Sequence, residues 1–137
     1  MRKIYFIFIF ALLCFNACTR VGIGDTDALA DTEWQLVFIR KTTPIAGTTI
    51  NISFENGEIR GTSGCNTYFG SYEIEGEKIK FNEIAMTEMA CLDPEGVMQQ
   101  EQDYLSFLSE VVLFSIEGNQ LILRKAEQGQ LTFEKTT

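Results

Sequence analysis

The sequence contains no histidine. That absence removes the imidazole base of Ser-His-Asp and Cys-His nucleophile systems, and a frequent ligand of catalytic zinc. No run of lysine or arginine occurs either: 11 basic side chains stand against 19 acidic ones, a net charge of −8. An acidic surface repels a phosphate backbone, so nucleic acid is not an expected partner. The one long apolar run, Ile4 to Phe15, is short for a bilayer span, which takes about 20 residues. With 137 residues the chain holds one ordinary domain and not two. What is present is globular in character: 45% hydrophobic and 12% aromatic residues, with 11 Phe that point to a Phe-rich core.

The first 17 residues read as a signal peptide. Arg2 and Lys3 form a basic start, Ile4 to Phe15 an apolar stretch, and the small Ala17 precedes Cys18. A small residue before cysteine at this point resembles the lipobox of bacterial lipoproteins, in which cleavage leaves the cysteine to be acylated. Phe15 and Asn16 are looser than the usual pattern. The alternatives are a single transmembrane anchor or plain secretion after cleavage elsewhere. Two or more acyl chains on Cys18 give stable attachment to a bilayer. Thr19 follows the cysteine rather than Asp, so the resemblance implies the outer membrane. Processing removes Arg2 and Lys3, leaving 9 basic against 19 acidic residues, a net −10. Residues 18–31 are polar and read as the lipidated N-terminus and a flexible tether, with the folded domain over 32–137.

Within that domain, apolar residues alternate in short runs. Trp34, Leu36 and Phe38 form the first. Ile50, Ile52 and Phe54 form the second, and Asn56-Gly57, a strong hairpin signal, returns the chain along Ile59 to Thr62. Tyr68, Gly70, Tyr72 and Ile74 share a face, followed by Ile79 and Phe81. Val112, Phe114 and Ile116, then Leu121 and Leu123, then Leu131 and Phe133 complete the series. About eight strands with regular turn signals predict a small antiparallel β-barrel or sandwich. One helix interrupts them, expected from about Pro94 to Ser109. Asp93 would cap it, and Tyr104, Leu105 and Leu108 would face the barrel.

Several strings are specific enough to carry a resemblance: Thr32-x-Trp34-x-Leu36; Gly61-x-x-Gly64-Cys65-Asn66-x-Tyr68-x-Gly70-x-Tyr72; Ile84-Ala85-x-Thr87-x-Met89-Ala90-Cys91; and the paired Leu121-x-Leu123 and Leu131-x-Phe133. Together they resemble the META domain, the HslJ-like family of small bacterial envelope proteins, over about Asp31 to Glu134. The resemblance implies a small barrel-like fold with one helix, often exported or lipidated. Some members are linked to heat induction and to novobiocin resistance. It carries no agreed activity and no catalytic residues.

The motif residues read as structural. Gly61, Gly64 and Gly70 suit bends and close backbone approach; a phosphate-cradling loop would need a following helix with Lys. Asn66 fits a turn with positive φ, and Thr87 a bond to neighbouring backbone. Trp34, Tyr68 and Tyr72 read as core, although the two tyrosines could line a pocket. Met89 belongs to the same string. Once Cys14 is cleaved away and Cys18 acylated, Cys65 and Cys91 remain, and an oxidising compartment favours a disulfide between them; two reduced, buried thiols are the alternative. Glu101 falls on the apolar face of the helix, where a carboxylate needs a partner. No catalytic residue, metal or cofactor is expected. The leading functional expectation is a non-enzymatic envelope lipoprotein acting through an envelope or extracellular protein, with the bilayer as its second partner. A small-ligand-binding barrel, or an acidic inhibitor of a basic enzyme such as a lysozyme, are the alternatives.

Overall fold

The computed structural model describes residues 27–127 and 129–136. The signal peptide, Cys18 and the first part of the expected tether lie outside the described residues. Eight strands follow in order: β1 Thr32–Ile39, β2 Asn51–Glu55, β3 Glu58–Thr62, β4 Thr67–Glu75, β5 Lys78–Met86, β6 Val111–Glu117, β7 Gln120–Lys125 and β8 Gln130–Lys135. One helix, α1 Val97–Ser109, stands between β5 and β6. Each strand pairs antiparallel with the next, and β1 pairs with β8, closing a barrel. The expected mainly β fold with one helix is the fold observed.

The hairpin logic holds at β2–β3. Asn56 and Gly57 have φ of 52° and 80°, the double positive φ that a type I′ turn requires, and Glu55 pairs with Glu58 across it. Trp34, Leu36, Ile52, Phe54, Ile59, Tyr68, Phe81, Leu121, Leu123 and Phe133 fill the interior from successive strands. Phe54 meets Tyr72 edge-on at 5.0 Å between ring centroids. Closure is thinnest between β5 and β6, where Lys78↔Leu113 is the paired register position.

Both ends of the barrel are plugged. At one end α1 lies across the mouth and buries Val97, Gln100, Glu101, Tyr104, Phe107 and Leu108. At the other, Leu29 is fully buried. Its backbone N–H donates to Asp27 Oδ1 at 2.9 Å, its carbonyl accepts from Thr32 Oγ1, and Asp27 also accepts from the Tyr72 hydroxyl. Residues 27–31, expected to belong to the tether, are therefore part of the domain. One large apolar residue between two alanines, in a five-residue stretch bounded by Asp27 and Asp31, has no periodicity, so its burial left no pattern to read.

Two further expectations are corrected. The helix begins at Val97, not Pro94, and Gly96 rather than Asp93 is its N-cap, with φ of 85° and no side-chain cap bond. A residue in the left-handed region cannot continue a right-handed helix, so Gly96 sets the boundary. Phe107 joins the buried face, whereas Leu105 is only partly buried. In β6, Phe114 is buried, but Val112 and Ile116 are 39% and 37% exposed. An irregularity between Val111 and Leu113 breaks the alternation and turns Val111 inward instead.

Candidate functional site

The β3–β4 connection, the segment after β5 and the middle of α1 meet at the helix end of the barrel. Glu101, 1% exposed, reaches from α1 into that junction. Its Oε2 accepts from Ser63 Oγ at 2.5 Å and from the Asn66 backbone N–H at 2.7 Å. Its Oε1 accepts from Asn66 Nδ2 at 2.7 Å. None of the ion pairs among the described residues includes Glu101; its charge is met by hydrogen-bond donors alone. Burial pushes its carboxyl pKa up, but the bonds from Ser63, Asn66 and nearby backbone outweigh that and hold it below its ordinary value.

Asn66 is the second hub. Besides meeting Glu101, Nδ2 donates to the Met89 carbonyl at 3.1 Å. Oδ1 accepts from Thr87 Oγ1 at 2.8 Å and from the Met89 backbone N–H at 2.7 Å. Every polar atom of the amide is thus used, and the donor and acceptor sides cannot exchange. Asn66 is not among the residues with positive φ; the expected local turn role is replaced by a long-range one. Thr87 also accepts from the Thr67 backbone N–H at 3.2 Å, 20 residues away in the chain. Cys65 and Cys91 form a disulfide with Cα atoms 5.9 Å apart, binding the same two segments covalently. Met89 contributes its backbone to the junction, while its residue surface is 54% exposed.

The glycine and tyrosine residues form an adjacent layer. A Cβ on Gly61 would sit 2.0 Å from the Asn51 carbonyl oxygen, so only glycine lets that carbonyl approach. The carbonyl accepts from the Tyr68 hydroxyl at 2.9 Å, and the Tyr104 hydroxyl lies 2.7 Å from that of Tyr68. Burial pushes both phenols well up, and both stay neutral. Gly70 makes room for the Asn82 carbonyl across the β4–β5 ladder. Gly64 lies against Gln100 and Val97 of α1. Trp34 is buried, its Nε1 donating to Thr32 Oγ1 at 2.7 Å. Tyr72 lies at the opposite end, on Asp27.

The motif therefore splits. Gly61, Gly64, Cys65, Asn66, Tyr68, Thr87, Met89, Cys91 and Glu101 converge at the helix end; Trp34, Gly70 and Tyr72 do not. Ser63 and Gln100 were missed by sequence reasoning. Gln100 Oε1 accepts from the Ile45 backbone N–H at 2.6 Å, and its Nε2 donates to Thr48 at 3.1 Å, so it ties the β1–β2 connection to the helix. The signal was there in outline: two adjacent polar residues, Gln100 and Glu101, interrupt an otherwise apolar helical stripe. Chemically the junction is a lock. A carboxylate with its oxygens occupied and its pKa held down is a poor proton shuttle, and the two sulfurs are bonded to each other. The barrel interior, where a small ligand could sit, is occupied by side chains.

Comparison with known proteins agrees with this architecture. The META domain family profile matches residues 27–137. A protein from Burkholderia xenovorans solved by NMR is similar at 29% identity, with a TM-score of 0.67 over 80% of this chain and 84% of that one. A second NMR structure is 23% identical, with a TM-score of 0.61 over 76% of this chain and 88% of the other. A DUF4847 family protein from Bacteroides vulgatus shares the fold at 14% identity, with a TM-score of 0.59 over 78% and 94%. No curated protein matches.

Proposed function

This chain belongs to the META domain family, and on that premise we propose that it is a non-enzymatic envelope lipoprotein acting through contacts with another protein. Acylated Cys18 would hold it to the bilayer, in the outer membrane, where it supports the envelope under stress or antibiotic challenge. The observation that carries this reading is the surface of the disulfide-bearing segment. The Met89 N–H and carbonyl are turned inward onto Asn66, while the side chains of Met86, Met89 and Leu92 leave those residues 42%, 54% and 93% exposed. Exposed apolar residues grouped on a rigidly held segment are what a protein contact uses. The Cys65–Cys91 bond fits an oxidising, exported compartment, and the basic-apolar-small-Cys order of residues 1–18 supports the lipid anchor.

Cross-linking in intact cells tests the contact. One envelope protein should be captured by the wild type and lost from a Met89→Glu, Leu92→Glu variant that melts at the wild-type temperature. Capture unchanged in that variant refutes this surface. Cys18→Ser tests the anchor separately: it should release the protein from membranes or leave it unprocessed, and a membrane-bound, normally processed variant rejects lipidation.

A further inference from the structure

Residues 27–136 carry eight basic against eighteen acidic side chains. They are not evenly mixed. Four of the eight bases, Arg40, Lys41, Arg124 and Lys125, line one groove of about 430 Å³ at the helix end of the barrel; Glu127 is the carboxylate in its lining, and Glu110 and Glu117 pair with Lys125 and Arg124. The turns at the opposite end carry Glu55, Glu58, Glu75, Glu77 and Glu117. A cationic pocket on a strongly acidic domain does not follow from overall composition.

The groove is also built. Ile39 and Thr42 exchange backbone bonds of 2.9 and 3.0 Å, so Arg40 and Lys41 are the two corner residues of a tight turn. Arg40 has φ of 59° and its N–H donates to the Gln130 carbonyl at 2.7 Å, docking the turn onto the start of β8. Across from it, Lys125 is fixed by Glu110 at 2.8 Å and by the Phe107 ring, 4.6 Å from its ammonium. Arg124 donates to Ser115 at 2.9 Å and pairs with Glu117 at 3.5 Å, so its charge is directed along β6, away from the turn. Arg40 and Lys41 take part in none of the ion pairs among the described residues. Two cations already paired with carboxylates thus wall the groove, and its uncompensated positive charge comes from the two that a rigid turn presents to solvent.

We propose that this groove binds a phosphate-bearing ligand, with Arg40 and Lys41 as its direct contacts. Guanidinium and ammonium groups together suit a doubly charged, multi-acceptor oxyanion better than a single carboxylate. The volume suits a small phosphorylated molecule or a lipid headgroup more than a bare ion. Glu127 opposes the ligand and limits its affinity. The inference goes beyond the protein-contact reading and does not depend on Cys18.

The test is an amide NMR titration of the intact protein with inorganic phosphate, acetate and chloride at constant ionic strength. A parallel arm measures sedimentation with phosphatidylglycerol and phosphatidylcholine vesicles. Arg40→Asn, Lys41→Gln is the informative variant, because asparagine tolerates the left-handed backbone at position 40. Phosphate should give saturable shifts confined to Arg40, Lys41, Gly129 and Gln130, stronger than acetate gives. The double variant should weaken binding about tenfold or more, the scale of losing a charged hydrogen bond, and Glu127→Gln should strengthen it. Saturable phosphate binding assigns a soluble ligand; binding only of phosphatidylglycerol vesicles, lost in the double variant, assigns a headgroup. Binding of neither, or equal binding by the double variant, overturns the proposal.

Discussion

Replacing Glu101 by glutamine changes almost nothing in shape, so its cost measures the lock at the helix end. The glutamine oxygen can take the place of Oε2 and keep the bonds from Ser63 and the Asn66 backbone. Its amide nitrogen then faces Asn66 Nδ2, donor against donor, where the carboxylate accepted at 2.7 Å. Asn66 cannot turn over to help, because its oxygen is engaged by Thr87 and the Met89 backbone. One charge-assisted bond is lost, two others are weakened and a buried donor is left facing another. The expected cost is about 2–4 kcal/mol. At this domain size roughly 4 °C of melting temperature goes with each kcal/mol, so Tm should fall by about 8–16 °C. Asp103→Asn, on the exposed side of the same helix, should stay within about 0.5 kcal/mol. Thermal unfolding followed by circular dichroism decides the matter; a Glu101→Gln protein melting within about 2 °C of wild type would show that the junction is not a lock.

The same carboxyl predicts a pH effect. Its pKa is lower in the folded than in the unfolded state. Its stabilisation is therefore complete above the unfolded value of about 4.3 and is lost as pH falls through that value toward the folded one. Denaturant titrations should show the gap between wild type and Glu101→Gln constant at neutral pH and narrowing in acid. The Cys65–Cys91 bridge, with a sequence separation of 26, should contribute about 3–4 kcal/mol by loop closure; Cys65→Ala with Cys91→Ala should lower Tm and abolish any effect of reductant on it. Gly61→Ala drives a methyl into the Asn51 carbonyl and should cost about 3 kcal/mol or more, whereas Gly57→Ala, with open space around it, should cost about 1–2 kcal/mol. Leu29→Ala should cost about 2–5 kcal/mol as a core truncation; a neutral result in urea denaturation would return residues 27–31 to the tether.

The barrel was legible because its determinants are local. Alternation of period two names the buried face of a strand within a few residues, and Asn56-Gly57 specifies its own turn by the φ angles it tolerates. The cysteine pair could be reached by elimination along the chain, and the motif strings are contiguous or nearly so. What the chain could not display is which distant segments would meet. Glu101 and Ser63 are 38 residues apart, and Glu101 and Asn66 35; their bonds exist because closing the barrel brings the β3–β4 connection beneath the helix. Glu101 could be singled out, since a carboxylate on an apolar stripe needs a partner, but its partners could not be named. Leu29 became core only because the open end of a closed barrel needed filling. The helix lost its first turn because Gly96 adopts a left-handed backbone there. Likewise Arg40-Lys41 and Arg124-Lys125, two unremarkable dibasic pairs 84 residues apart in sequence, became one cationic groove when β1 closed against β8. Short-range stereochemistry chose the strands, while charge placement and polar satisfaction were decided by long-range closure, which no window of sequence contains.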